Sequence, residues 1–390
     1  MNTVKRTIQK SINQHRSKYP VLAVTGPRQS GKTTLLRTMF PDYTYLSMEN
    51  PDTFDFANND ANGFFKQYDG NLILDEVQRV PKLFSYLQMK ADETKSMGKY
   101  ILSGSQNFHL MQNITQSLAG RVALFKLFPF DFSEMKTAKL LSKNYTDAMI
   151  KGFYPAVYDR EIAPENFYKN YIQTYLEKDI SQLVKVKNMR QFRNFLALCA
   201  ARTGQLLNLN SVANECGISQ PTAKAWLSVL ESSYVVFLLQ PYHENFSKRI
   251  VKTPKLYFYD TGLVCHLLKL DSGSLLTNHD FKGALFENMM IAEMIKQNEH
   301  NYLNYDFWFW RDSAGHETDV IMRKKNQVLH TLEIKATQTV TSKFFSGLNY
   351  FENTAKGKKI TKTLIYAGNE TQKRTKLKVL AWDNPEGLLG

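Results

Sequence analysis

Val21-Leu22-Ala23-Val24-Thr25-Gly26-Pro27-Arg28-Gln29-Ser30-Gly31-Lys32-Thr33-Thr34 is the stretch that decides the fold. Val21 to Val24 form an apolar run suited to a buried strand, and Thr33-Thr34-Leu35-Leu36 opens a helical pattern. Between them residues 26–33 match G-x-x-x-x-G-K-T, the phosphate-binding loop, in the strand–loop–helix setting the motif requires. Gly26 and Gly31 permit turns that a Cβ blocks, so successive N–H groups face a polyphosphate. The following helix adds its positive end. Residues Gly26, Pro27, Arg28, Gln29, Ser30, Gly31, Lys32, Thr33 and Thr34 are therefore expected to bind ATP. Lys32 would reach the β- and γ-phosphates, and the Thr33 hydroxyl would ligate Mg²⁺.

A second apolar run, Leu72-Ile73-Leu74, ends in Asp75-Glu76, 43 residues beyond Lys32. At a strand tip Asp75 can hold the Mg²⁺, and Glu76 can orient the attacking water. A third strand is expected at Tyr100-Ile101-Leu102, running into Ser103-Gly104-Ser105-Gln106-Asn107. Ser105 and Asn107 are both candidates to sense the γ-phosphate; a plain Ser/Gly turn is the alternative.

With these pieces the chain resembles the AAA+ ATPases, in the bacterial and archaeal branch whose ATPase module is followed by a winged helix. Ser117-Leu118-Ala119-Gly120-Arg121 and Leu127-Phe128-Pro129-Phe130 look like that branch's signature. The resemblance implies an arginine that stabilises γ-phosphate charge, within the chain or from a neighbouring subunit. Arg121 is the candidate, against the alternative of an ion pair with a surface carboxylate.

Composition narrows the setting. The chain has 390 residues, enough for two to three domains, with 43% hydrophobic residues to fill their cores. No apolar run reaches the length of a membrane span, and Met1-Asn2-Thr3-Val4-Lys5-Arg6 lacks a signal-peptide core. The three cysteines (Cys199, Cys216, Cys265) have no metal-like spacing, and a cytoplasmic setting is expected. The net charge of +14 favours an acidic partner such as nucleic acid. That excess is spread along the chain, as +6, +3 and +5 over residues 1–130, 131–300 and 301–390. A diffuse attraction, or simply a well-solvated surface, fits it better than one basic face.

In the middle of the chain, Glu165 to Lys187 repeats apolar residues at helical spacing, with Phe167, Tyr171, Ile172, Tyr175 and Leu176 on one face. Phe192, Phe195, Leu196 and Leu198 predict another buried helix. Residues 208–240 carry a helix-turn-helix pattern. Asn210 or Ser211 would cap a helix through Glu215, Gly217 would make the turn, and Ser219 would cap the next helix. Strands at Tyr234–Leu239 and Leu256–Tyr259, around a loop with Lys248, Arg249 and Lys252, complete a winged-helix expectation. Ser219, Gln220, Thr222 and Lys224 would face a DNA groove, or the module would serve as a structural lid or partner surface.

The last third holds a second constellation. Phe281 to Met294 reads as an amphipathic helix bearing Glu287. Strands are expected at Phe307–Trp310, at Glu317–Met322 with Asp319, and at Val328–Ile334 with Glu333, followed by Lys335. Glu333 and Lys335 lie two apart and so share a strand face. Asp319 and Glu333 can hold Mg²⁺ against a scissile phosphate while Lys335 steadies charge or helps activate water. This resembles the PD-(D/E)xK nucleases at Asp319, Glu333 and Lys335, with Thr318 in place of the family's proline. An inert surface network, or a nuclease-like fold that binds without cutting, is the alternative.

The expected fold class is α/β: an AAA+ ATPase domain with a parallel sheet (1–135), a helical and winged-helix region (136–270) and a restriction-endonuclease-like α/β domain (271–390). The expected function is ATP binding and hydrolysis coupled to nucleic acid, DNA ahead of RNA. There would be no membrane partner; a homo-oligomer or protein partner stays open. The rival is an ATP-dependent switch acting on a protein partner, with an inert C-terminal domain.

Overall fold

The computed structural model describes residues 4–93, 96–105, 110, 114, 116–176, 188–243, 252–324, 328–384 and 389. Its contacts divide the chain into two units. One comprises Met1–Phe130 with Ser232–Tyr234 and Glu299–Tyr302; the other is the remainder.

In the first unit β1 (Val21–Thr25), β2 (Thr44–Ser47), β3 (Leu72–Asp75), β4 (Tyr100–Gly104) and β5 (Val122–Lys126) form a parallel sheet in the order β2-β3-β4-β1-β5. The expected runs at β1, β3 and β4 are strands because both faces of the sheet are covered. Val21, Ala23, Leu72, Leu74 and Leu102 pack on one side, and Leu22, Val24, Ile73 and Ile101 on the other. Neighbouring residues point to opposite faces, so a strand buried on both must be apolar throughout. Parallel strands also deliver all their C-terminal ends to one edge, where the loops after β1, β3 and β4 gather.

In the second unit helices Met189–Ala201, Leu209–Cys216 and Gln220–Ser232 precede an antiparallel pair, β6 (Val236–Pro241) and β7 (Lys255–Phe258). The helix expected to start at Asn210 or Ser211 starts earlier. Asn208 is its cap, accepting from Ser211 N at 3.1 Å. Gly217 ends that helix at φ 63°, and Ser219 Oγ accepts from Thr222 N as expected. The strand expected from Tyr234 begins at Val236, because Tyr234 turns the chain at φ 57°. Phe192, Phe195 and Leu196 are buried, whereas Leu198 is only half-buried and Cys199 takes the core position. The long pattern from Glu165 yields a helix at Pro164–Tyr171 and a wider π turn at Ile172–Leu176. Residues 177–187, and Lys248 and Arg249, lie outside the described residues.

β6 runs on beside β8 (Asp306–Arg311) through Gln240 and Pro241. It thereby joins a sheet with β9 (Glu317–Arg323), β10 (Leu329–Lys335), β11 (Ile360–Tyr366), β12 (Gln372–Arg374) and β13 (Leu377–Ala381), in the order β12-β13-β11-β10-β9-β8-β6-β7. Strands from residues 136–270 and 271–390 thus share one eight-stranded sheet. The helix expected to be amphipathic spans Lys282–His300 and is corrected to a core helix. Leu285, Phe286, Met289, Met290, Ile291, Ala292 and Met294 are all buried, and so are Glu293 and Lys296. Buried charged groups on its second half imitate a wet face in the sequence.

Candidate functional site

The phosphate loop leaves the C-terminal end of β1 and enters the helix Lys32–Met39. Gly26 has φ 146°, and a Cβ there would lie 2.1 Å from the Leu127 carbonyl oxygen. No side chain fits that position without moving the backbone. Gln29 and Gly31, at φ 62° and 93°, complete the turn. Gly31 caps the helix with no side-chain acceptor, so its first-turn N–H groups suit an anion. Lys32 is buried and donates to the Gly26 and Pro27 carbonyls at 2.9 and 2.8 Å. The Ser30 hydroxyl is buried with no hydrogen-bond partner.

Asp75, at the end of β3, accepts at Oδ2 from Thr33 Oγ1 at 2.9 Å. The two expected magnesium-site residues are therefore in contact, and their oxygen chemistry fits a hard divalent cation. The same oxygen accepts from the Tyr45 hydroxyl at 2.5 Å. Burial, then Asp75 itself, holds that phenol well above its ordinary range. Glu76 adopts a left-handed backbone at φ 52°. A non-glycine residue in that region costs on the order of 1–3 kcal/mol and clusters at functional sites. Its Oε2 accepts from Gln78 Nε2 at 2.6 Å and Ser105 Oγ at 3.2 Å. Ser105 thus joins Glu76 at the C-terminal edge of the sheet; Asn107 lies outside the described residues.

Arg121 is not brought to this edge. It precedes β5, whose Val122 pairs with Val21 at the start of β1, the opposite end of the sheet from the loop. Its guanidinium donates to both carboxylate oxygens of Asp92, at 2.5 and 2.9 Å. The expectation that it touches the γ-phosphate within its own chain is corrected: it makes the ion pair with a surface carboxylate.

Arg6 was not singled out by the sequence. It is buried, and donates to the carbonyls of Ser30 at 2.8 Å and Phe128 at 2.6 Å, fastening the loop to the segment after β5. An arginine beside Lys5 near the start of a basic chain carries no signal of burial. Tyr45, on a short edge strand, was equally silent.

In the second unit Asp319 on β9 and Glu333 and Lys335 on β10 come together as expected. Lys335 Nζ lies 2.6 Å from Glu333 Oε1 and 3.7 Å from Asp319 Oδ2. Asp319 Oδ2 also accepts from Ile334 N at 2.7 Å, which fixes its position. Burial, then Asp319, pushes the Glu333 carboxyl up to about 8. Glu333 Oε2 is buried with no hydrogen-bond partner. An orphaned carboxylate oxygen beside a second carboxylate fits a hard divalent cation. Glu287 also reaches the cluster, but Oε1 accepts from Tyr257 OH at 2.5 Å and from Lys255 Nζ at 3.1 Å. Burial pushes the Glu287 carboxyl up, against the pull of Lys255. Lys255 also pairs with Glu317. The sequence gives no sign of it, because the expected strand begins one residue later, at Leu256, and the acidic residues it meets lie at 287 and beyond.

Residues 18–136 match the family described as an AAA domain. Residues 142–274 and 282–383 match two domains of unknown function, DUF8612 and DUF4143. An uncharacterised protein of Mycobacterium tuberculosis is 30% identical over 327 residues, covering 82% of this chain and 71% of its own length. An uncharacterised protein of Haemophilus influenzae is 23% identical over 345 residues, covering 80% of this chain and 81% of its own. Among solved structures, a Walker-type ATPase of Pyrococcus abyssi aligns over 67% of this chain and 94% of its own at 13% identity, with a TM-score of 0.42. No described helix is long and apolar enough to cross a membrane.

Proposed function

The chain belongs to the family of the uncharacterised Mycobacterium tuberculosis protein and contains an AAA domain, and we propose that it hydrolyses ATP there and acts on nucleic acid with its remaining parts. In the ATPase half, Lys32 would exchange its loop carbonyls for the β- and γ-phosphates. Thr33 and Asp75 would hold Mg²⁺, and Glu76 would orient the attacking water. The bond from Ser105 to Glu76 supports a role for Ser105 in reporting the γ-phosphate to that glutamate.

The observation that carries the nucleic-acid half is the buried, partnerless Glu333 Oε2 beside Asp319 and Lys335. In this reading Asp319 and Glu333 hold Mg²⁺, which would polarise a phosphodiester, and Lys335 steadies the developing charge. The three helices and the β6–β7 pair are read as a winged helix; Ser219, Gln220 and Lys224 are exposed at its second helix start. These residues, together with the exposed Lys252, would meet phosphates and base edges.

The test uses plasmid and single-stranded DNA with Mg²⁺ and ATP. The wild-type chain should nick or cut, and a Glu333→Ala variant should lose at least about a hundredfold of that rate while keeping its ATP turnover. DNA left equally intact by both would remove the nuclease role. The second reading, an ATP-controlled switch with an inert C-terminal part, would then stand. The bonds tying Glu287 to Lys255 and Tyr257 favour it, because they neutralise part of the acidic cluster internally.

A further inference from the structure

We propose that Lys255 takes the place of a second cation in this cluster, so that Asp319 and Glu333 hold a single divalent ion and Glu287 holds none. The inference rests on the reading of Asp319 and Glu333 as metal ligands.

The two lysines of the cluster differ in freedom. The Lys335 side chain is one-third exposed, at 33%, and can swing toward solvent when an ion arrives. The Lys255 side chain is 4% exposed and has no such path. It stands at the start of β7, with its ammonium 3.1 Å from Glu287 Oε1, paired to Glu317, and 5.5 Å from the centre of the Phe309 ring. Arg311 holds the other Glu317 oxygen at 3.2 Å. Tyr257, two residues along the same strand and on the same face, donates to Glu287 Oε1 as well. Glu287 Oε1 therefore already serves an ammonium and a phenol that one strand delivers together.

A divalent ion at Glu287 would have to share that one carboxylate with a buried ammonium or expel it. Two cations on one carboxylate repel strongly where water is scarce, and an expelled ammonium would leave Glu317 with Arg311 alone. Glu333 presents the opposite situation: one of its oxygens is buried and serves nothing. The fixed positive charge thus lies on the helix side of the cluster, and the ion-accepting oxygens lie on β9 and β10. Glu287 becomes a positioning residue for Lys255, and a phosphodiester would meet one ion and one fixed ammonium.

Mn²⁺ binding to the full-length chain, counted by calorimetry and by electron paramagnetic resonance without nucleotide, tests this. An Asp75→Asn background keeps the ATPase site from contributing ions. The background protein should bind one Mn²⁺, Lys255→Arg should also bind one, and Lys255→Met should bind two. Glu287→Gln should weaken Mn²⁺ binding by about tenfold at most, and Asp319→Asn, the loss of a ligand, at least about tenfold more than that. This second comparison keeps the test open should Lys255→Met fail to fold. Two ions in the background protein, one in a folded Lys255→Met protein, or a loss in Glu287→Gln as large as that in Asp319→Asn would each overturn the proposal while leaving the metal site intact. No Mn²⁺ in any of these proteins would overturn the metal reading itself.

Discussion

Glu76 concentrates the ATPase argument at the scale of one residue. It occupies a left-handed backbone that glycine would favour, and its carboxylate is held by Gln78 and Ser105. A strained, tethered carboxylate next to Asp75, the proposed magnesium ligand, suits a group released when a γ-phosphate arrives. Glu76→Gln should bind ATP within about threefold of wild type and lose at least about a hundredfold in turnover, read by steady-state phosphate release. Unchanged turnover would take Glu76 out of the reaction. Lys32, Thr33, Asp75 and Glu76 were legible because short strands fix their spacing, and the chemistry fixes their type. Arg6, Tyr45 and Lys255 were not. Each acts through a contact made far along the chain, Arg6 with Phe128 and Lys255 with Glu317, and nothing beside them in sequence marks it.

At the scale of elements, what could be read depended on whether a strand or helix shows its surroundings in its own pattern. β1, β3 and β4 are buried on both faces and announced themselves as unbroken apolar runs. β2 is an edge strand with an exposed first residue, and it passed unread. The helix expected at Phe281–Met294 misled for the opposite reason: Asn288 and Glu293 are polar letters at buried positions. The cap expected at Asn210 or Ser211 lies two or three residues earlier, since several polar side chains near residue 210 could serve, whereas the Ser219 cap stands where expected. Asn208 is the one whose side chain meets Ser211 N. Asn208→Ala should therefore cost about 1 kcal/mol of unfolding free energy, while Asn210→Ala should cost a few tenths at most, both read by urea titration. Equal effects would return the cap to an open question.

For the molecule as a whole, stability and function draw on different charges. In the second unit, burial and the nearby Asp131 push the Glu293 carboxyl up to about 8, against Lys296. The folded form prefers Glu293 protonated. Its contribution is fully present below the ordinary carboxylate range and is lost as pH rises through about 8. Wild-type stability should decline relative to Glu293→Gln between about pH 5 and 8, with a difference slope of at most about 1.4 kcal/mol per pH unit. Parallel curves would show that Glu293 ionises freely. The family match at residues 18–136 and the contact between Thr33 and Asp75 support the phosphate loop as the proposed nucleotide site. The ATP-dependent action on nucleic acid proposed for the chain presumes that this first unit binds ATP. Calorimetric titration of the full-length protein with ATP and Mg²⁺, beside Lys32→Ala, is the most direct test. Saturable binding of one nucleotide per chain, abolished in the variant, is the predicted result; no binding by the wild-type protein would contradict it.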